Sequence, residues 1–149
     1  MADILEEIIA WKHQELTEFQ QVLPTRQLLG MVEPMLSVAQ PSMKDALCKS
    51  ETGIIAEFKR KSPLKGWIRR EGRADVVPKS YQAHGAAALS ILTDSKYFGG
   101  YDEFIQQARA TGVSLPILYK NFVIDPYQLL MARHSGASAV LLIAASLSK

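Results

Sequence analysis

The sequence predicts an α/β protein in which a helical segment precedes a sheet of parallel strands. Residues 1–50 carry apolar side chains at helical spacing, whereas residues 51–149 alternate short apolar runs with helical patterns. The apolar runs are nearly continuous, which is typical of strands that are covered on both faces. Because strand, helix, strand connections of this kind require parallel strands with right-handed crossovers, we expect a parallel sheet.

The first helix is predicted near the amino terminus. Ile4, Ile8 and Trp11 recur at helical spacing, while Lys12 and Glu15 fill positions outside this apolar stripe. The pattern therefore predicts one amphipathic helix whose apolar side packs against another part of the protein.

The segment that follows is predicted to form short helical pieces. Pro24, Gly30, Pro34 and Pro41 interrupt it, and Ser42 is a suitable N-cap for a helix through "MKDALCK". We expect these pieces to pack against another part of the protein, because each is too short to be stable by itself.

Four strands with three intervening helices are predicted from residue 54 onward. The strands correspond to the apolar runs "IIAEFK", "AALSILT", "LPILYKNF" and "AVLLIAA". Asp75 is predicted to cap one helix, with Pro78 in its first turn, and Asp125 followed by Pro126 is a stronger helix start. Glycines that favour a left-handed conformation occur where each helix should end, at Gly85, Gly112 and Gly136.

Length and composition restrict the class of protein. The chain has 149 residues, of which 48% are hydrophobic, so we expect one domain with a substantial core. Its net charge of +2 gives no indication of a nucleic-acid or membrane partner. A single cysteine, Cys48, excludes an internal disulfide, and the amino terminus lacks the apolar core of a secretory signal. The longest apolar run is far shorter than the roughly 20 residues that span a bilayer. We therefore expect a soluble, cytoplasmic protein.

Charged side chains lie within two of the predicted strands. In "IIAEFK", Ile55, Glu57 and Lys59 share one face, because side chains two apart in a strand point the same way. Leu118 and Lys120 likewise share a face of the third strand, and both lysines lie toward the carboxyl ends of their strands. In parallel α/β folds that end carries ligand sites, although a lysine at a strand end can also simply reach water. The residues alone leave both interpretations open.

Four ordered segments carry a family resemblance. "IIAEFKRKSPLKG", "LSILTDSKYFGG", "ILYKNFVIDPYQ" and "GASAVLLI" closely resemble the indole-3-glycerol phosphate synthase family in order and spacing, across essentially the whole chain. The resemblance implies a (β/α)8 TIM barrel, with residues 1–50 as an N-terminal helical extension and residues 51–149 as the first four strands. It also implies an enzyme that uses no metal or organic cofactor. The histidines, which show no metal-ligand spacing, are His13, His84 and His134.

The resemblance implies a reaction and three catalytic residues. The family condenses, decarboxylates and dehydrates 1-(2-carboxyphenylamino)-1-deoxyribulose 5-phosphate in tryptophan biosynthesis, so the expected partner is a small phosphorylated anion. By resemblance, Lys120 is the general acid for the ketone oxygen, and Lys59 assists the anionic groups and is a candidate for the dehydration step. Glu57 orients or pairs with these lysines. A carboxylate favours charged lysines, whereas burial and a second lysine favour neutral ones, so the protonation states stay open.

The resemblance also implies substrate-binding residues. Ser62 and Pro63 match the loop after the first strand, and Phe98 and Phe122 match aromatic residues that border the substrate's ring system. Leu142 aligns with an inward-facing substrate-binding position on the fourth strand, although packing of the barrel interior is the favoured interpretation for it. A basic cluster either steers the anionic substrate or forms a solvated face, the latter being slightly favoured; it comprises Arg60, Lys61, Lys65, Arg69, Arg70 and Arg73.

Two residues depart from the family pattern. Leu64 occupies a position where serine is common, and Asn121 follows Lys120 where aspartate is common. Without that negative charge, we expect the Lys120 ammonium to be less stabilised. These departures concern the details of the site and leave the family resemblance intact.

The length of the chain is the larger departure. A whole (β/α)8 barrel takes about 250 residues. We therefore expect this chain to be the N-terminal half of one, inactive by itself and either self-associating or needing its C-terminal half. One alternative is a non-catalytic half-barrel that serves folding or assembly. Another is a different phosphate-binding barrel enzyme such as phosphoribosylanthranilate isomerase, which the positions of Lys59 and Lys120 fit poorly.

Overall fold

A computed structural model describes residues 4–147. Its N-terminal part is helical, as the sequence predicts. The elements of this part are α1 (Ile4–Val22), α2 (Thr25–Val32), a 3-10 helix (Glu33–Ser37) and α3 (Met43–Lys49). Ser42 caps α3 as predicted, because its side chain accepts a hydrogen bond from the backbone N–H of Asp45.

The predicted parallel sheet is present. The strands in chain order are β1 (Ile55–Phe58), β2 (Lys61–Ser62), β3 (Gly66–Trp67), β4 (Ala88–Leu92), β5 (Ile117–Lys120) and β6 (Ala139–Val140). Strands β1, β4, β5 and β6 form one sheet in that order, and each neighbouring pair is parallel. Strands β2 and β3 form an antiparallel hairpin that was not predicted, since two residues per strand are too few to produce a visible alternation.

Three helices connect the strands of the sheet and confirm the predicted alternation. They are α4 (Val77–Ala83), α5 (Glu103–Ala110) and α6 (Pro126–Ser135), and a 3-10 helix (Ala144–Ser146) follows β6. Asp125 begins α6 in a capping box: its side chain accepts a hydrogen bond from the N–H of Tyr127, and the Gln128 side chain accepts one from the N–H of Asp125. The predicted terminal glycines are left-handed, with φ of 87° at Gly85, 90° at Gly112 and 97° at Gly136.

The cap predicted for α4 is wrong. Asp75 does not accept a hydrogen bond from the first turn of α4, which begins after Val76 without a side-chain cap. Instead, the Asp75 carboxylate accepts two hydrogen bonds from the guanidinium of Arg73. A bidentate, charge-assisted pair with a neighbour two residues away competes successfully with a single bond to a backbone N–H. Pro78 does lie in the first turn, as predicted.

The core lies between the sheet and the helices. Phe58 and Tyr119 point from the sheet into a buried cluster that includes Ile105 of α5. The opposite face of β1 carries Glu57, and on that face the side chain of Ile55 is 44% exposed. We call the face of Glu57 the open face because it is exposed at the β1 edge, although the side chains of Ala88, Ser90 and Leu92 of β4 are buried on it.

The N-terminal helices pack against α6 and against the strand ends. Leu16, Leu28 and Tyr127 share a buried cluster, and the Tyr127 hydroxyl donates to the carbonyl oxygen of Leu23. The polar side of α1 differs from the amphipathic prediction, because Lys12 is buried in an ion-pair network that the helical pattern could not indicate. No helix within residues 4–147 has the length and apolar character needed to cross a membrane.

Candidate active site

The strand register places the charged residues on the open face of the sheet. Glu57 of β1 pairs with Ser90 of β4, and Ser90 pairs in turn with Leu118 of β5. Residues that pair in a parallel sheet point to the same face, so Glu57, Ser90 and Leu118 share the open face. Lys59 follows β1 directly, and Lys120 is the last residue of β5. Both lysines therefore lie at carboxyl strand ends, as the sequence predicts. Their strands, β1 and β5, are parallel and are separated by β4.

The Glu57 carboxylate lies between the two lysines. Its Oε1 is 3.1 Å from the Nζ of Lys59, and its Oε2 is 3.5 Å from the Nζ of Lys120. All three side chains are about one third exposed, so they reach solvent while remaining close together. The pairing that the resemblance implies for Glu57 and these lysines is thus present in the structure.

The surroundings of Glu57 favour its charged form. Burial raises the pKa of its carboxyl, but the hydrogen bonds from Lys59 and Ser90 and the charge of Lys120 outweigh burial, and the pKa lies below its usual value. Glu57 is therefore a carboxylate at neutral pH, within ion-pair distance of Lys59 and Lys120.

Ser90 is a residue of this site that the sequence analysis missed. Its hydroxyl donates to Oε2 of Glu57 at 3.0 Å, and its side chain is buried. A polar residue in the middle of the apolar run "ALSIL" was a usable signal, because the alternation places it on the same face as the charged residues of β1. The signal was weak, since one serine is common in a buried strand.

A cavity of about 680 Å³ lies next to Lys59. Besides Lys59, four of the predicted site residues line it, whereas Glu57 and Lys120 do not; the four are Ser62, Pro63, Phe98 and Phe122. The rings of Phe98 and Phe122 lie with their centroids 6.0 Å apart, in a tilted arrangement. The cavity thus combines an aromatic wall with a lysine at its edge.

Helix α1 supplies another wall of the cavity. Ile4, Leu5 and Ile8 line it, together with Leu64 from the hairpin. The sequence analysis treated the apolar side chains of α1 only as a packing stripe, and it had no signal that would distinguish packing from a cavity wall. The N-terminal helix is therefore part of the candidate site and not only an attached segment.

The hairpin of β2 and β3 holds the loop residues of the cavity in place. Ser62 pairs with Gly66, and the Lys61 Nζ donates to the carbonyl oxygen of Lys96 at 2.9 Å. The Trp67 ring lies against Gly99, where an added Cβ would come within 2.9 Å of the indole carbons Cη2 and Cζ3. The hairpin is thus attached to the segment between β4 and α5.

The basic cluster is more organised than the predicted solvated face. Arg60, Lys61 and Arg70 place their charged groups 5.3, 5.7 and 4.9 Å from the centroid of the Trp67 ring. Such distances are typical of cation–π contacts. Half of the cluster therefore stabilises the hairpin, while Lys65 and Arg69 remain exposed.

Leu142 does not belong to this cavity. Strand β6 ends at Val140, and Leu142 follows it with a side chain that is 57% exposed. Val140 pairs with Tyr119, whose side chain points into the core, so a continued alternation would place Leu141 and not Leu142 on the face of Lys120. The prediction of an inward-facing Leu142 thus has no support in the strand register.

Asn121 lies apart from the Lys120 ammonium that we expected it to affect. Its side-chain NH2 donates to the Thr93 hydroxyl at 2.9 Å and to the Tyr119 hydroxyl at 3.4 Å. Tyr119 in turn donates to Oδ1 of Asp102 at 2.9 Å. Consecutive residues of an extended segment point to opposite faces, which explains why Asn121 joins this buried network instead. The other departure, Leu64, is 99% exposed.

Asp102 is the titratable member of that buried network. Burial raises the pKa of its carboxyl to about 6, although the hydrogen bond from Tyr119 lowers it.

Among residues 4–147, no three His, Cys, Asp or Glu side chains lie together as a set of metal ligands.

Known proteins are similar to this chain along essentially its whole length. A family model described as "Indole-3-glycerol phosphate synthase" matches residues 5–149. A protein of that name from Bacteroides thetaiotaomicron is 51% identical over 149 residues, which are 100% of this chain and 56% of the relative. Proteins of the same name from Dechloromonas aromatica and Bordetella pertussis are 42% and 40% identical, over 99% of this chain and 57% of each relative. The chain spans about half the length of the curated relatives it matches.

Proposed function

The chain belongs to the indole-3-glycerol phosphate synthase family, and we propose that it supplies the acid part of the active site of such a synthase. The reaction is closure of an indole ring from 1-(2-carboxyphenylamino)-1-deoxyribulose 5-phosphate, with loss of carbon dioxide and water. The observation that carries the proposal is the carboxylate of Glu57 held between the ammonium groups of Lys59 and Lys120. A cytoplasmic location is proposed with it, as is usual for a biosynthetic enzyme.

Lys120 is proposed as the general acid of ring closure. The ring carbon that carries the carboxyl group forms a bond to the ketone carbon, and the ketone oxygen takes a proton from the Lys120 ammonium. Carbon dioxide then leaves, and its bonding electrons remain on the ring. Glu57 supports this role because its carboxylate lies 3.5 Å from the Nζ of Lys120 and orients that group.

Lys59 is proposed to act on the substrate's anionic groups and in dehydration. The hydroxyl group formed by ring closure leaves as water when it receives a proton, and the neighbouring methylene carbon, which is bonded to nitrogen, loses a proton as the ring double bond forms. Lys59 is the second ammonium beside Glu57 and is proposed to protonate the leaving hydroxyl group. Its position at the edge of the cavity suits contact with both the carboxylate and the leaving hydroxyl group of a substrate bound there.

The aromatic part of the substrate is proposed to bind in the cavity beside Lys59. Phe98 and Phe122 offer an aromatic wall, while Ser62 and Pro63 form the rim on the hairpin side. The phosphate group is proposed to bind to residues of the second half of the barrel. Two observations support placing the aromatic part of the substrate on this chain and its phosphate group elsewhere. The chain spans about half the length of its relatives. The residues of the aromatic wall and rim lie in the part of the chain, residues 51–149, that carries the strands.

The open face of the sheet supports a second proposal, which concerns assembly. Within residues 4–147, β1 and β6 are the edges of the four-stranded sheet, and the apolar side chain of Ile55 is exposed on the face that carries Glu57. We propose that this face is covered by the remaining strands of the barrel, and that residues 1–149 alone associate with a second copy instead. A purely non-catalytic role does not account for the arrangement around Glu57.

An exchange of segments tests the proposed activity. Residues 1–149 replace the matching segment of the Bacteroides thetaiotaomicron relative, to which they are 51% identical, and formation of indole-3-glycerol phosphate is measured. We expect turnover by the folded hybrid protein, because this chain would supply the lysines and the relative would supply the rest of the barrel. A hybrid that folds cooperatively and shows no turnover above background contradicts the proposed function.

A further inference from the structure

A buried ion pair joins α1 to the segment that follows β4. The Nζ of Lys12 lies 2.7 Å from Oδ1 of Asp94 and 2.6 Å from Oε2 of Glu15. Lys12 is 1% exposed and Asp94 is fully buried. Neither residue lines the cavity beside Lys59, and the proposed chemistry does not use either of them.

Further contacts between α1 and the same segment surround this ion pair. The hydroxyl of Tyr97 donates to Oε1 of Glu7 at 2.9 Å. The hydroxyl of Ser95 donates to Oε1 of Glu15 at 3.5 Å. The Nζ of Lys96 lies 3.8 Å from the centroid of the Trp11 ring. With the pair of Lys12 and Asp94, each of residues 94–97 therefore contacts α1 through its side chain.

The same Asp94 carboxylate also holds the backbone of Phe98. Its Oδ2 accepts hydrogen bonds from the N–H of Tyr97 at 2.8 Å and from the N–H of Phe98 at 3.2 Å. One oxygen of Asp94 thus contacts Lys12 on α1, and the other orients the peptide that carries the Phe98 ring. The side chain of Asp94 therefore links α1 to the backbone that carries the Phe98 ring.

Stability alone is a poor reason for this arrangement. A buried ion pair costs desolvation that its attraction barely offsets, and well-packed apolar residues in its place are often equally or more stable. An ion pair does, however, accept only one geometry, whereas an apolar contact tolerates sliding of α1 over the segment. In this chain the ion pair sets the position of one cavity wall relative to another. One wall is α1, which contributes Ile8, and the other is segment 94–98, which contributes Phe98.

We propose that Lys12 and Asp94 are positioning residues for the aromatic wall of the cavity. By fixing α1 to segment 94–98, they hold the Phe98 ring beside that of Phe122 at the separation that receives an aromatic ligand. The proposal rests on the proposed function only in naming that ligand as the substrate's aminobenzoate ring. It predicts that Lys12 affects binding of the ring and leaves proton transfer by Lys120 nearly unchanged.

Fluorine NMR of residue 98 tests the positional part directly. Phe98 is replaced by 4-fluorophenylalanine in the segment-exchange protein, in which the rest of the barrel covers the open face. Its signal is compared between the unaltered protein, Lys12→Met and the matched control Lys79→Met, which alters an exposed lysine of α4. We expect a changed chemical shift and a broader line in Lys12→Met, and no change in the control. A Phe98 signal that stays in place in folded Lys12→Met overturns the proposal.

A second variant covers the case in which Lys12→Met does not fold. Lys12→Met leaves two buried carboxylates, those of Asp94 and Glu15, without their ammonium partner. Adding Asp94→Asn in a double variant removes the charge of the fully buried one and keeps an oxygen that can accept from the Phe98 N–H, while Glu15 still accepts from the Ser95 hydroxyl. We expect the double variant to fold and to show the displaced Phe98 signal. An unmoved signal in the double variant means that the pair has a structural role only, and this outcome also overturns the proposal.

Kinetics of the segment-exchange protein test the functional part. We expect Lys12→Met with Asp94→Asn to raise KM about tenfold and to leave kcat within about threefold, since a displaced binding wall weakens the substrate complex more than the chemical step. A fall in kcat with unchanged KM contradicts the proposal. If the exchanged protein has no synthase activity at all, the proposed function fails, and the fluorine signals still decide whether Lys12 positions Phe98.

Discussion

Ser90 and Lys120 share one oxygen of Glu57. The Ser90 hydroxyl donates to Oε2 at 3.0 Å, and the Lys120 ammonium lies 3.5 Å from the same atom. Lys59 faces the other oxygen, Oε1. The hydrogen bond from Ser90 thus fixes the rotation of the carboxylate, so that each oxygen is directed to a different lysine.

Removal of the Ser90 hydroxyl is expected to move the pH dependence of the site. In Ser90→Ala the Glu57 carboxylate loses one of the hydrogen bonds that lower its pKa, so its pKa rises toward the usual value. Activity that requires the carboxylate should then be lost at a higher pH on the acid side. The measurement is the acid limb of kcat/KM against pH in the segment-exchange protein.

The control for this variant is Ser80→Ala, which alters an exposed serine of α4. If Ser90→Ala and Ser80→Ala have the same pH profile as the unaltered protein, Ser90 does not tune Glu57.

Lys120 and Lys65 should differ strongly as sites of substitution. Lys120→Met removes the proposed general acid, and a positioned acid typically contributes about 100-fold or more to the rate. Lys65→Met alters an exposed lysine of the hairpin loop whose side chain does not contact Glu57. We expect kcat of the segment-exchange protein to fall at least about 100-fold in the first variant and to change little in the second. Equal small losses would remove Lys120 from the catalytic role.

Asp102 should make the folded state less stable as the pH rises. Its pKa lies near 6 in the folded chain, above the 3.8 of an unperturbed aspartate. The folded state therefore holds the proton more tightly than the unfolded state, and the free energy of unfolding decreases as pH rises from about 4 to about 6. A shift of about two pKa units corresponds to roughly 3 kcal/mol at neutral pH.

Asp102→Asn tests this pH dependence, because asparagine keeps an oxygen that accepts from the Tyr119 hydroxyl. We expect the variant to be more stable than the unaltered protein at pH 7 and similar at pH 4. Urea unfolding at several pH values measures the difference. Parallel curves for the two proteins across this range would show that Asp102 titrates alike in both states.

Residues 1–149 by themselves are expected to associate and to lack synthase activity. The edges β1 and β6 carry unpaired backbone groups, and exposed strand edges of this kind pair with other chains. The open face also exposes apolar side chains such as Ile55, and exposed apolar surface favours association. Light scattering over a dilution series should show dimers or larger species. A cooperatively melting monomer at high concentration, or turnover above background, would contradict these expectations.

The sheet and its charged face could be predicted because they depend on periodic patterns. The alternation in "IIAEFK" assigns Glu57 and Lys59 to one face without any knowledge of the partner strand, and the parallel connections place Lys120 at the same end. The capping box at Asp125 was equally local. Features of this kind depend on residues within a few positions of each other, and therefore they are visible in the sequence.

The remaining features depend on contacts between distant residues. Lys12 is separated by 82 positions from Asp94, so nothing in the helical pattern of α1 indicated that a lysine would be buried there. Ser90 acquires its role only through the register of β1 and β4. Asn121 was expected to act on its neighbour Lys120 because they are adjacent in sequence, but adjacent residues in extended backbone point apart. Leu142 was assigned an inward-facing position by alignment, but β6 ends at Val140 and the register of β5 and β6 does not place Leu142 on the face of Lys120.

The contact between Trp67 and Gly99 imposes a joint constraint on two segments of the chain. Any side chain at position 99 would collide with the indole ring and would also be strained by the φ of 61° at this residue. Residue 99 can therefore enlarge only if residue 67 becomes smaller and the backbone at 99 changes. An alanine at 99 alone would push the hairpin outward, and Ser62 and Pro63 would leave the rim of the cavity with it. The shape of the cavity entrance therefore depends on residues 67 and 99, although neither of them lines the cavity. We expect the residues at these two positions to vary together among proteins that keep this entrance.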